Sequence, residues 1–275
     1  MRTMITGRRR AATALASLAI AAAALPLTAC SASTSSGTDA STIKAVASTT
    51  QICDYITQLA SGGQDDGLSF ERTAADGTTE HIGADDAGAK TRLKLTCLLA
   101  PNASAHEHDM TPAQSKALSE ADLFFVSGVD LEHFLDDAVT STGFKGSMVV
   151  TSGVAGAADI DDLDAQKAKE KDLPYTIDRG TATVEVARWP FPPEDGESEP
   201  EFRFDPHVWT SPKNAIAQVT NIGAALEKAS PESAELLGSH VQAYVDRLNE
   251  LDAWARTSME TVPAGKRALL TSQDA

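Results

Sequence analysis

Short apolar runs alternate with stretches of helical period along the first 150 residues, and that alternation leaves few folds open. Ile43 to Ser48 (IKAVAS), Leu93 to Leu99 (LKLTCLL), Leu123 to Ser127 (LFFVS) and Met148 to Thr151 read as strands. Ile52 to Leu59, Thr111 to Glu120 and Glu132 to Val139 read as helices between them. This order predicts an α/β fold with a parallel sheet and ligand sites beyond the strands' carboxyl ends. The Gly-, Asp- and Thr-rich stretch from Ser61 to Lys90 has no sustained period and reads as a loop or insertion.

The second half is organised differently. Asp161 to Phe204 is rich in Asp, Glu, Lys and Pro and reads as a long acidic surface loop, with a hairpin at Thr181 to Arg188 (TATVEVAR) where alternation is visible. Pro212 opens a helix that runs to Ala229. Pro231 opens a longer one to about Glu260, with Leu236, Leu237, Val241, Tyr244, Val245, Leu248, Leu251 and Trp254 at helical spacing. Val262-Pro263-Ala264-Gly265 stops it, and Arg267 to Thr271 (RALLT) reads as a final strand with no sheet to join.

The first thirty residues read as an address. Arg2, Arg8, Arg9 and Arg10 form a positive region ahead of an apolar stretch, Ala11 to Leu27, that is too short for a stop-transfer helix. It ends in Leu27-Thr28-Ala29-Cys30, which resembles a bacterial lipobox with Cys30 as the acylated first mature residue. Residues 31–42, nearly all Ser, Thr, Ala and Gly, read as a flexible tether that would hold a domain near a membrane without embedding it. The four arginines of residues 1–30, which include no acid, bring the net charge from −20 for the remainder to −16 for the whole chain. So acidic a surface argues against nucleic acid as a partner.

Two further cysteines, Cys53 and Cys97, read as a disulfide in an exported chain; two buried free thiols are the alternative. Of six histidines, two groups fall in loops past strand ends: His106-Glu107-His108-Asp109 and Asp205-Pro206-His207-Val208-Trp209. Imidazole suits zinc and its first-row neighbours, although loop histidines in acidic surroundings are also commonly just solvated. His106 and His108 lie two apart, so this is no zinc-protease helix. No nucleophile elbow or P-loop occurs, and no enzyme activity is expected.

Taken in order, the lipobox, V-A-S-T-T-Q-I, C-L-L-A-P-N-A-S-A-H, A-D-L-F-F-V-S-G-V-D-L-E, D-P-H-V-W-T-S-P-K-N-A and L-L-T-S-Q-D-A resemble the zinc/manganese-type solute-binding lipoproteins of bacterial metal ABC importers, in an actinobacterial-type variant. The resemblance implies two α/β lobes joined by a rigid helix, with the metal in the cleft between them. It divides the chain into a signal peptide at 1–30, a tether at 31–42, an N-terminal lobe at 43–230, a linking helix at 231–260 and the start of an incomplete second lobe at 261–275.

It also implies ligands. His106 and His207 match the first two, and Gln273 stands where the family has His or Glu. A neutral amide is a poorer zinc ligand than either. The fourth, an acidic residue, would lie beyond Ala275. Asp274 and His108 are possible substitutes, Trp209 reads as packing, and His81, His133 and His240 read as surface or helix residues. The implied cargo is Zn2+ or alternatively Mn2+, and the implied partners are a membrane permease and its ATPase. A monomer on the extracytoplasmic face is expected. An anchored adhesin or metal sensor of the same fold is the alternative.

Overall fold

The computed structural model describes residues 41–61, 67–84, 88–193 and 196–268. Cys30, Gln273 and Asp274 lie outside these residues, as do the expected signal peptide and nearly all of the tether. In chain order the elements are β1 (Ser41–Ala47), α1 (Thr50–Ala60), β2 (Leu68–Thr73), β3 (Thr79–Gly83), β4 (Thr91–Cys97), α2 (Pro112–Ser119) and β5 (Leu123–Val126). They continue with α3 (Leu135–Thr142), β6 (Ser147–Val150), α4 (Ala157–Glu170), β7 (Thr176–Asp178), α5 (Pro212–Ala229) and α6 (Ala234–Glu260).

The seven strands form one sheet in the order β3-β2-β4-β1-β5-β6-β7. Every pairing is parallel except β2 with β3 at the rim. The expected α/β class and largely parallel sheet are therefore present. Alternation along the strands splits the core in two. Ala45 and Ala47 of β1, Leu123 and Phe125 of β5 and Val149 of β6 pack with α1, α5 and α6. Val46, Phe124, Val126, Met148 and Val150 point the other way, against Leu118 of α2 and Ala138 and Val139 of α3. Helices thus cover both faces, and one edge, at the strands' carboxyl ends, is left for loops.

The disulfide is present. Ala47 and Cys97 are register partners on β1 and β4, and Cys53 sits one helical turn past the Thr49 cap of α1. The two Cα atoms are 5.7 Å apart and the sulfurs are bonded.

Three expectations need correcting. The stretch from Ser61 to Lys90 is not simply a loop: it contains β2, which joins the sheet through β4, and β3, which folds back on it. Only Leu68, Ser69 and Phe70 of this hairpin are buried, too short a run to show a period. The acidic stretch contains α4 and β7, and Thr181 to Arg188 forms no hairpin. Its visible alternation serves a small cluster instead, in which Val184 and Val186 meet Phe204 and Val208. Finally, Arg267 and Ala268 are not in a strand, and the rest of the expected RALLT strand lies outside the described residues. No helix among the described residues is long and apolar enough to cross a membrane.

Candidate metal centre

Three loops at the carboxyl edge of the sheet carry the candidate residues. The first follows β4. Gln114 of α2 ties its two ends together, donating from Nε2 to the Leu98 carbonyl at 2.8 Å and accepting from the Thr111 amide at 2.9 Å. His108 spends its Nε2 on the same Gln114 side chain at 3.2 Å and sets its ring edge-on to Phe134. It is therefore part of the loop's bracing. His106, between the tied ends, directs Nδ1 to the Leu131 carbonyl at 3.3 Å. A carbonyl only accepts, so Nδ1 carries the proton and Nε2 keeps its lone pair.

That carbonyl belongs to the second loop, after β5, which has an unusual backbone. Val129 and Asp130 both have φ of 58°, a region costly for a β-branched residue. Gly128 precedes them at φ 86°, where an added Cβ would come within 2.3 Å of the Val154 carbonyl. The turn is clamped from inside by Glu132. Its carboxylate accepts from the Ser127 amide at 2.6 Å, the Gly128 amide at 3.1 Å and Ser48 Oγ at 2.6 Å, so it bridges the ends of β5 and β1. Burial pushes this carboxyl above the ordinary glutamate range, against the pull of those three hydrogen bonds.

The third loop, before α5, brings His207. Asp205, Pro206 and His207 form an Asx turn in which Asp205 Oδ1 accepts both the His207 amide and His207 Nδ1, each at 2.9 Å. Phe204 and Val208 on either side anchor the turn in a cluster with Val129, Val154, Val184 and Ala217. His207 is 7% exposed, and its buried Nε2 has no hydrogen-bond partner.

The rings of His106 and His207 meet nearly at right angles, centroids 5.4 Å apart. Both have Nδ1 committed to a protein acceptor, the arrangement in which a second-shell acceptor fixes the tautomer of a metal-ligating histidine. His133, expected at the surface, is indeed exposed, yet its ring lies 5.9 Å from that of His106. His81 pairs with Glu71 on the sheet rim, and His240 directs Nδ1 to the Leu59 carbonyl at 2.7 Å; both are remote from the pair in the fold. Among the described residues no group of three or more His, Cys, Asp or Glu is placed to hold a metal ion. The described residues bring together two candidate nitrogen donors, not a closed set. An open cavity of about 600 Å³, lined in part by Glu107, Asp109, Asp137 and His133 but by neither His106 nor His207, adjoins the pair only through His133.

Residues 78–275 match the family model described as zinc-uptake complex component A, periplasmic (ZnuA). The chain belongs to this family. Among curated relatives of the ZnuA-type chain is the manganese-binding lipoprotein MntA of Halalkalibacterium halodurans, 26% identical over 187 residues, which are 68% of this chain and 49% of that protein. Another is the metal ABC transporter substrate-binding lipoprotein ScbA of Streptococcus cristatus, 27% identical over 67% of this chain and 50% of that one. The ZnuA-type chain thus spans about half the length of the curated relatives it matches. Its fold is similar to that of the periplasmic zinc-binding protein TroA of Treponema pallidum, with a TM-score of 0.52 at 20% identity over 86% of this chain and 61% of that one.

Several residues that shape the site carried no role in the sequence reading. Asp205 had a signal, since Asp-Pro followed by His is an Asx-Pro turn that places the carboxylate within reach of the ring. Glu132 and Phe202 had none, because their contacts span 84 residues for Glu132 with Ser48 and 96 for Phe202 with His106; Trp189, 18 residues before His207, had none either.

Proposed function

We propose that this chain is the extracytoplasmic capture component of an ABC importer for a divalent first-row metal, with His106 and His207 as ligands from this lobe. One observation carries the reading: two neighbouring imidazoles each have Nδ1 satisfied by a protein acceptor, and the buried Nε2 of His207 has no hydrogen-bond partner. A buried nitrogen without a partner is costly unless something else completes it. Two neutral imidazoles suit Zn2+ better than Mn2+, which favours oxygen donors. The net charge of −16 favours cations over anions as cargo.

Gln273, at the position where relatives are expected to supply a third ligand, is proposed as a weak donor, and remaining donors would come from outside the described residues. Helix α6 is proposed as the rigid link to a second lobe. The names of the relatives support a lipid anchor at Cys30 and delivery to a permease and ATPase. In this role the protein binds and releases its cargo without turnover.

Equilibrium dialysis of the full chain with metal analysis tests the reading. One Zn2+ per chain is expected, with binding lost on His106→Ala and on His207→Ala. Retention of zinc by both variants, or no binding by the parent at micromolar metal, would overturn it.

A further inference from the structure

The rings of the histidine pair are flanked by aromatic rings, two of them from the acidic stretch. Phe202, only 4% exposed, places its ring 5.3 Å from His106 and 5.5 Å from His133. Trp189 backs Phe202 edge-on at 5.0 Å and lies stacked at 6.1 Å over His207, while Trp209 meets that ring edge-on at 5.3 Å. The wall is held in place by its own backbone. Trp189 donates its amide to the Arg203 carbonyl at 3.2 Å, Asp205 donates to the Ala187 carbonyl at 2.9 Å, and Arg188 bridges Phe204.

Resting on the metal-capture reading above, we infer that Phe202, backed by Trp189, is a specificity-determining residue that selects ions by dehydration. The ring of Phe202 can neither donate nor accept a conventional hydrogen bond. A water kept by a metal ion at His106 would face that ring and lose a partner, at the cost of an unmade hydrogen bond. Ions of the Mg2+, Ca2+ and Mn2+ kind favour oxygen donors, and Mg2+ in particular keeps several waters. Zn2+ sheds water for a closed four-coordinate sphere and takes imidazole readily. The wall therefore acts against the first group without supplying a ligand to the second. Its test must move the ratio of two affinities, which general damage to the site would not do in one direction.

The experiment measures Zn2+ and Mn2+ dissociation constants, each metal alone, by equilibrium dialysis of the full chain. The parent is compared with Phe202→Leu, which keeps an apolar wall, and Phe202→Asn, which offers a retained water a partner. The Mn2+ to Zn2+ ratio of dissociation constants is expected to fall about tenfold in Phe202→Asn, the equivalent of one hydrogen bond, and to stay near the parent value in Phe202→Leu. Should circular dichroism show that Phe202→Asn does not fold, Trp189→Gln, at a half-buried position, takes its place with the same expected direction. An unchanged ratio in the polar variant, or an equal fall in Phe202→Leu, overturns the inference. A parent that binds neither metal overturns the capture reading itself, a different result from an unchanged ratio.

Discussion

Asp205 Oδ1 and His207 Nδ1 lie 2.9 Å apart, and the same carboxylate oxygen also accepts the His207 backbone amide. One side chain thus fixes the backbone turn, the ring orientation and the tautomer of the more buried histidine. Because Asp and His are separated only by Pro206, the orienting group and the proposed ligand travel as a unit.

Asp205→Ala should therefore weaken metal binding although Asp205 is not itself a proposed ligand. A loss of roughly 10- to 100-fold is expected, in line with other outer-shell partners of ligating histidines. Asp205→Asn, whose amide oxygen can still accept from Nδ1, should lose less. Isothermal titration with Zn2+ would separate the two, and equal losses would show that charge rather than orientation is what matters.

Glu132 predicts a pH dependence of stability. Its carboxyl is raised by burial, so the folded chain keeps the proton after the unfolded chain has released it. Its contribution is accordingly most favourable below the ordinary glutamate value and is lost as pH climbs from there through the raised one. Thermal melts across that window should decline for the parent and lie flatter for Glu132→Gln. A slope that persists in the Gln variant would assign the decline to another group. Glu132→Ala should cost about 2–3 kcal/mol at low pH, where the Glu132 contribution is fullest, since it leaves the Ser127 and Gly128 amides without their acceptor.

Arg179 holds α4 to the end of β7. Its guanidinium forks onto Asp159, with both contacts at 2.8 Å, and onto Glu170 at 2.9 and 2.5 Å. The Arg179 and Asp159 side chains are only 9% and 6% exposed, so removing the cation strands a buried carboxylate. Arg179→Ala should lower stability by about 3–5 kcal/mol in denaturant unfolding. The guanidinium's partners are Asp159 and Glu170 and not the histidines, so zinc affinity of the folded variant should change little.

The strands that proved easiest to read were those buried on both faces. All of β5, Met148 to Val150 of β6 and Ala45 to Ala47 of β1 are apolar and buried, because parallel strands sandwiched between helices have no polar side to show there. His106 and His207 were legible for a related reason: each sits in a loop at the carboxyl edge that such a sheet reserves for ligands. The β2–β3 hairpin was not legible, because most of it is half-buried or exposed and its place is fixed by pairing with β4 rather than by its own pattern. His133 was misjudged in part, since exposure was right but its neighbour, 27 residues away in sequence, was invisible. The aromatic wall could not be foreseen at all. Nothing local to Phe202 indicates that a chain bridge at Arg188 and Phe204 will turn it toward the histidines.

The hairpin has one further consequence. Both of its strands lie between Cys53 and Cys97, so the disulfide makes this side of the sheet a closed ring of chain. The tight turn at Asp76 and Gly77, where Gly77 has φ of 86°, is exposed. A protease that cuts there opens the ring without releasing a fragment. The nicked protein would migrate as a single species until thiol is added, and only then separate into two. The loop carrying His106 would stay joined to β1 through sulfur even with the peptide bond gone.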